Sequence, residues 1–85
     1  MDRLLDCFAQ TFGITRDQIT LKLAYQSIPE WDSVGHMTLV AEIESVFEIR
    51  LNTDEIIAMS DVAKTIEIVR KHGVALNDVA LSKSR

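Results

Sequence analysis

The first residues of the chain carry apolar side chains at a helical period. Side chains spaced by three or four residues share one face of a helix, and those with this spacing are Leu4, Leu5, Phe8 and Phe12. Gly13 follows directly as a candidate C-cap. Thr15, with Gln18 three residues later, has the form of a capping box. The pattern predicts a helix over residues 3–12, followed by a short helical turn.

Between residues 21 and 31 the helical period is lost, and the only proline, Pro29, lies in this segment. Loops of this length are usually functional or disordered. Several apolar residues favour an ordered loop that is pinned to the core; they are Leu23, Tyr25, Ile28 and Trp31. For Trp31 two roles stay open, packing that holds the loop and contact with a bound partner.

The helical period returns at Asp32 or Ser33 and continues to about Phe47. One stripe of this second helix is apolar throughout and suits the core: Leu39, Val40, Ile43, Val46 and Phe47. A second stripe is apolar at one end and acidic at the other: Val34, Met37, Ala41, Glu44 and Glu48. A mixed stripe of this kind suits a contact surface better than a core.

The remaining pattern predicts two more helices. Asn52 and Glu55 form a second capping box, which opens a short helix through Met59. Ser60 is the predicted N-cap of a last helix over residues 61–72.

The predicted fold is therefore all-α, a small four-helix bundle with three longer helices, one short third helix, and a long loop between helices one and two. Residues 1–73 are expected to form the domain, ended by Gly73, and residues 74–85 a flexible C-terminal tail. The predicted core comprises Leu4, Leu5, Phe8, Phe12, Leu39, Val40, Ile43, Phe47, Leu51, Ile56, Val62, Ile66 and Val69.

Composition limits the class of protein. A chain of 85 residues makes one domain. Its single cysteine, Cys7, excludes an internal disulfide and is interpreted as a small apolar filler or a bystander. No signal peptide or membrane-spanning run is recognisable, so a cytoplasmic location is expected. The protein is also expected to be a monomer. His36, His72 and Cys7 are too scattered for a zinc site, and no metal is predicted.

The acidic charge is concentrated in the middle of the chain. The net charge is −4, yet residues 30–61 hold eight acidic residues and one basic residue, a balance of −7. Such a field repels nucleic acid and attracts basic protein surfaces. Nucleic-acid binding is therefore not expected.

The residues that bear chemistry are Asp32 and Ser33, at the junction of the long loop and the second helix. A helix N-terminus favours a phosphate group joined there, and Gly35 is interpreted as leaving room for an incoming group. The same Asp-Ser pair could be no more than a helix cap. A hydrolase built on Ser33 and His36 is disfavoured because no nucleophile elbow and no third partner are recognisable.

The motif Asp32-Ser33-Val34 resembles the Asp-Ser-Leu signature of acyl carrier proteins, and the likeness in spacing extends over roughly residues 3–72. The resemblance implies 4′-phosphopantetheine attached covalently at Ser33, with Asp32 as the motif residue before it. It also implies a non-enzymatic carrier, served by a phosphopantetheinyl transferase and by acyl-loading and acyl-using biosynthetic enzymes. Trp31 and the Gly35-His36-Met37 stretch differ from the fatty-acid-synthesis type of this family. Stretches similar to Trp31-Asp32-Ser33 occur in dedicated carriers of secondary-metabolite and cell-surface pathways, which the resemblance therefore favours.

Partners are expected to dock on the second helix and the start of the third. The residues proposed for this surface are Val34, Met37, Ala41, Glu44, Glu48, Asp54 and Glu55. The rival interpretation is a helical protein-interaction adaptor without a prosthetic group, which explains the acidic face equally well. An enzyme ranks third because the chain is small and shows no catalytic constellation.

Overall fold

A computed structural model describes residues 2–74. In this part of the chain there are four α-helices, numbered in chain order: α1 (Asp2–Phe12), α2 (Ser33–Phe47), α3 (Thr53–Ala58) and α4 (Val62–Lys71). A 3₁₀ turn, Arg16–Gln18, follows α1. The predicted all-α fold, with a short third helix and a long loop between α1 and α2, is confirmed. Of the predicted tail, Val74 packs against the core, and residues 75–85 lie outside the described residues.

The first predicted helix end and the turn after it are confirmed. Gly13 adopts the left-handed conformation (φ 66°), and Ile14 N–H donates to the Ala9 carbonyl at 3.1 Å. In the turn, Thr15 N–H donates to Gln18 Oε1 at 3.0 Å. Local sequence alone is enough to set these boundaries.

The predicted cap of the last helix is wrong. Asp61, not Ser60, is the N-cap of α4, and its carboxylate accepts from Lys64 N–H at 2.7 Å. Asp61 is held extended because it forms an antiparallel bridge with Ala24 of the long loop. The Ser60 carbonyl instead accepts from Tyr25 N–H at 2.9 Å.

The core lies among the four helices, and most of its predicted members are buried: Leu4, Leu5, Phe8, Phe12, Leu39, Val40, Ile43, Leu51, Val62, Ile66 and Val69. Phe47 and Ile56 are only partly buried, which corrects the prediction. Phe47 lies at the edge, where the Arg3 guanidinium covers its ring at 5.1 Å from the centroid. Ile19, Leu23 and Ile68 are buried in addition.

Trp31 is fully buried and holds the long loop against α1. Its ring lies 5.6 Å from that of Phe8 and 5.2 Å from that of Phe12, between centroids. The loop is also tied to the start of α4, where Val62 N–H donates to the Leu23 carbonyl at 2.9 Å. Of the two roles considered for Trp31, the structure therefore supports packing. These contacts fix the end of the loop, from which α2 begins.

Within residues 2–74, none of the helices has both the length and the apolar character needed to cross a bilayer.

Candidate attachment site at the start of α2

Ser33 is the first residue of α2 and is exposed. Asp32 precedes it as the N-cap, in an extended conformation, and its Oδ1 accepts from Gly35 N–H at 2.8 Å. The two interpretations of the Asp-Ser pair are thus compatible. Asp32 provides the cap, and the Ser33 hydroxyl remains available at the helix N-terminus.

Tyr25 of the long loop lies within hydrogen-bonding distance of this hydroxyl. The Tyr25 phenol oxygen lies 3.0 Å from Ser33 Oγ, and either oxygen can be the donor. The Tyr25 ring also meets the His36 ring edge to face, with centroids 5.5 Å apart. The sequence predicts Tyr25 only as an anchor of the loop. No local sequence pattern predicts that the Tyr25 hydroxyl contacts Ser33, which is eight residues further along the chain.

His36 is a structural link rather than a base for Ser33. Its Nδ1 accepts from the Trp31 indole N–H at 2.9 Å, and its Nε2 lies 2.8 Å from the Ile56 carbonyl oxygen. An indole N–H can only donate and a carbonyl can only accept, so the neutral ring carries its proton on Nε2. Both ring nitrogens are thereby engaged, and His36 connects the loop, α2 and α3.

Gly35 does not leave room for an incoming group, which corrects the interpretation made from the sequence. The space that a Cβ would take there is occupied by the backbone carbonyl of Glu30. The glycine is needed because the chain's own loop crosses the first turn of α2 at close range.

An open cleft of about 330 Å³ begins beside Ser33 and runs between α2 and α3. Its walls are mostly apolar, with a few polar groups near Ser33, and the lining residues are Tyr25, Ser33, His36, Met37, Ile56, Ile57, Met59 and Ser60. A hydroxyl at the rim of an apolar cleft is suited to carry a flexible group that needs an apolar surface nearby.

The apolar residues proposed for a partner surface are exposed next to this cleft. Val34 is 75% exposed and Met37 is 53% exposed, and Ala41 is exposed further along α2. Ile57 on α3 is 72% exposed. Ile57 is not among the residues predicted for this surface, because the sequence pattern does not show which of the consecutive residues Ile56 and Ile57 faces the core.

The acidic residues proposed for this surface differ in their surroundings. Glu48 and Asp54 are exposed, whereas Glu44 is half-buried and accepts from Leu51 N–H at 2.9 Å. Glu55 accepts from Asn52 N–H at 3.0 Å and pairs with His72 Nε2 at 3.0 Å. The bond from the Asn52 backbone, and next the bond to His72, lower the pKa of Glu55. Glu44 and Glu55 therefore also hold the fold together.

Cys7 lies away from this site, on α1, and is 2% exposed. Burial, and next the nearby charges of Glu42 and Asp6, raise the pKa of the Cys7 thiol to about 11. The role of a small apolar filler is confirmed. Among residues 2–74 no three His, Cys, Asp or Glu side chains are grouped so that they could hold a metal ion.

The arrangement described above is that of a small helical bundle with an exposed serine at the start of its second helix. No protein-family model matches the chain. It is 27% identical to an acyl carrier protein of Lactobacillus johnsonii over 71 residues, which cover 84% of this chain and 89% of that protein. It is also similar to the solution structure of the holo acyl carrier protein from Geobacter metallireducens. That similarity has a TM-score of 0.74, with 27% identity, and covers 84% of this chain and 82% of the other.

Likeness in sequence and likeness in fold agree with the resemblance drawn from Asp32-Ser33-Val34. Together they support a place for the chain in the acyl carrier protein family.

Proposed function

We propose that the chain carries an acyl group as a thioester on a 4′-phosphopantetheine arm at Ser33 and presents it to partner enzymes. The observation that carries the proposal is the exposed Ser33 hydroxyl at the first position of α2, beside an open apolar cleft. A cytoplasmic location, as expected from the sequence, belongs to the same proposal.

The residues around Ser33 fit such an arm. The N-terminal end of α2 carries a partial positive charge, which favours the negative charge of a phosphodiester. Asp32 accepts from Gly35 N–H, so its carboxylate is held in the cap rather than free over the hydroxyl. When bound, the arm supplies a terminal thiol that forms the thioester.

Attachment needs no catalytic group of the carrier itself. A phosphopantetheinyl transferase would supply the base that takes the proton from Ser33 Oγ and the magnesium ion that holds coenzyme A. The Oγ–phosphorus bond forms, the pyrophosphate bond of coenzyme A breaks, and adenosine 3′,5′-bisphosphate leaves. The chain thus acts as the substrate of this reaction and as a carrier afterwards, not as an enzyme.

Partner enzymes are proposed to dock on α2 and the start of α3. Val34, Met37 and Ala41 provide a small exposed apolar contact next to Ser33, and Ile57 extends it across the cleft. Glu44, Glu48, Asp54 and Glu55 would attract basic partner surfaces, which raises association rates more than final affinity. Weak contacts that depend on salt suit a carrier that must bind and leave several enzymes. A flexible arm raises the effective concentration of the acyl group at each active site.

The test is intact-mass measurement of the chain after co-expression with a phosphopantetheinyl transferase. We expect the mass to rise by one 4′-phosphopantetheine, and Ser33→Ala to fold normally and gain nothing. Ser45→Ala is the matched control, because Ser45 is an exposed serine on the same helix and its variant should be modified in full. No mass gain in the parent chain would favour an adaptor without a prosthetic group, and a gain in Ser33→Ala would place the attachment elsewhere.

A further inference from the structure

The backbone and the ring of Tyr25 are each held by a contact with another part of the chain. Its backbone N–H donates to the Ser60 carbonyl at 2.9 Å, at the junction of α3 and α4. Its ring meets the ring of His36, which is itself fixed by two hydrogen bonds. The position of the phenol oxygen 3.0 Å from Ser33 Oγ is therefore built into the fold and does not depend on one flexible contact.

The residue that follows Tyr25 holds the loop in this shape. Gln26 adopts a left-handed backbone conformation (φ 67°), which is uncommon for a residue other than glycine. Its N–H donates to the Trp31 carbonyl at 2.8 Å. The loop thus turns back on itself between Tyr25 and the start of α2, and it brings the phenol over the Ser33 hydroxyl.

We propose that Tyr25 is a positioning residue for the phosphodiester, and that its hydroxyl donates a hydrogen bond to the phosphate group attached at Ser33. The inference rests on the proposed function and adds to it a residue of this chain that holds the base of the arm.

The chemistry of ester formation gives the direction of the hydrogen bond. In the unmodified chain Ser33 Oγ can donate or accept. Once it is esterified, this oxygen has no hydrogen, so Tyr25 can only be the donor. The phosphate oxygens carry the negative charge and are stronger acceptors than the ester oxygen, and a hydrogen bond to a charged acceptor is roughly twice as strong as a neutral one. The base of the arm is then held at the rim of the cleft.

Phosphorus NMR of the holo protein tests this proposal, since the arm contains the only phosphorus atom. We expect the resonance of the folded holo protein to differ from that of the same protein unfolded in urea. In holo Tyr25→Phe the resonance should move toward the unfolded position, because this variant keeps the ring and removes only the hydroxyl. Thr38→Val removes a hydroxyl one turn further along α2, where it bonds to the Val34 carbonyl, and its holo form should retain the parent resonance.

A second measurement does not depend on a variant. The chain has one tyrosine, so a Cζ-labelled tyrosine gives a single carbon resonance, which should shift when the apo protein is converted to the holo form. An unchanged Cζ resonance, or the same phosphorus resonance in parent and Tyr25→Phe, would overturn the inference. Mass gain in Tyr25→Phe would still support attachment at Ser33, whereas no gain in the parent chain would overturn the proposed function itself.

Discussion

The backbone carbonyl of Glu30 occupies the position that a side chain at Gly35 would need. This contact joins the end of the long loop to the first turn of α2, on either side of Ser33. Because the obstacle is backbone and not the tip of a flexible side chain, it cannot rotate away.

Gly35→Ala is therefore expected to destabilise the protein by about 1–3 kcal/mol, as overpacking of a close contact does. The sign of the change in the free energy of unfolding is informative, since helix propensity alone would make alanine more stabilising than glycine by about 0.8–1.0 kcal/mol. Urea unfolding followed by circular dichroism measures the difference. An increase in stability would mean that the loop gives way without cost, and that the contact does not constrain the start of α2.

The helix boundaries could be predicted because their signals are local. Gly13 and the boxes of Thr15 with Gln18 and Asn52 with Glu55 each specify a helix end within a few residues. The start of α2 at Asp32 or Ser33 can be predicted for the same reason. Motif and cap coincide there, so the attachment candidate was accessible from sequence.

Contacts between distant segments had no comparable signal. Two sets of contacts depend on how the loop crosses α2. One is the hydrogen bond between Tyr25 and Ser33, and the other is the pair of hydrogen bonds that join His36 to Trp31 and to Ile56. The bridge between Ala24 and Asp61 had no such signal either, and with Asp61 held extended the N-cap of α4 is Asp61 and not the predicted Ser60. A periodic pattern shows which face of a helix is apolar, but not which loop residue will reach it.

The thiol of Cys7 should be unreactive in the folded protein near neutral pH. Its pKa is raised to about 11, and reaction requires the thiolate and access to it. We expect the native apo protein to consume no thiol reagent at pH 7 and one equivalent after unfolding in urea. The holo protein should consume one equivalent while folded, from the arm, and holo Cys7→Ala should do the same. Rapid labelling of folded apo protein would contradict the burial of Cys7.

Glu55 should make stability depend on acid pH. Its folded pKa is lowered by the Asn52 backbone and by His72, so its contribution is complete above the unfolded pKa of about 4.3 and is lost as the pH falls through the folded value. Glu55→Gln should unfold at lower urea than the parent at pH 7, and the two midpoints should converge in strong acid.

Asp54→Asn is the matched control for Glu55, because Asp54 is the other acid in the first turn of α3 and is exposed. It tests the general effect of negative charge at a helix N-terminus. If the two variants lose the same stability at pH 7, the hydrogen bonds to Asn52 and His72 add nothing specific.

Glu48 and Asp54 provide the cleanest test of the acidic partner surface. Reversing the charge of Glu44 would also break its bond to Leu51 N–H, so a slower reaction of that variant would have two explanations.

Glu48 is exposed at the C-cap of α2, and Glu48→Lys combined with Asp54→Asn changes charge at exposed positions. We expect this double variant to be modified by a phosphopantetheinyl transferase about tenfold more slowly at low salt, because electrostatic steering changes association rates by factors of 10 or more. The difference should shrink above about 0.1 M salt, where the screening length falls to about 10 Å.

The control is Glu67→Lys, which reverses the charge of an exposed residue on α4 outside the acidic segment. This variant should be modified at nearly the parent rate. Equal rates for the double variant and Glu67→Lys at every salt concentration would mean that the acidic face is ordinary solvated surface, and that docking depends on the apolar residues beside Ser33.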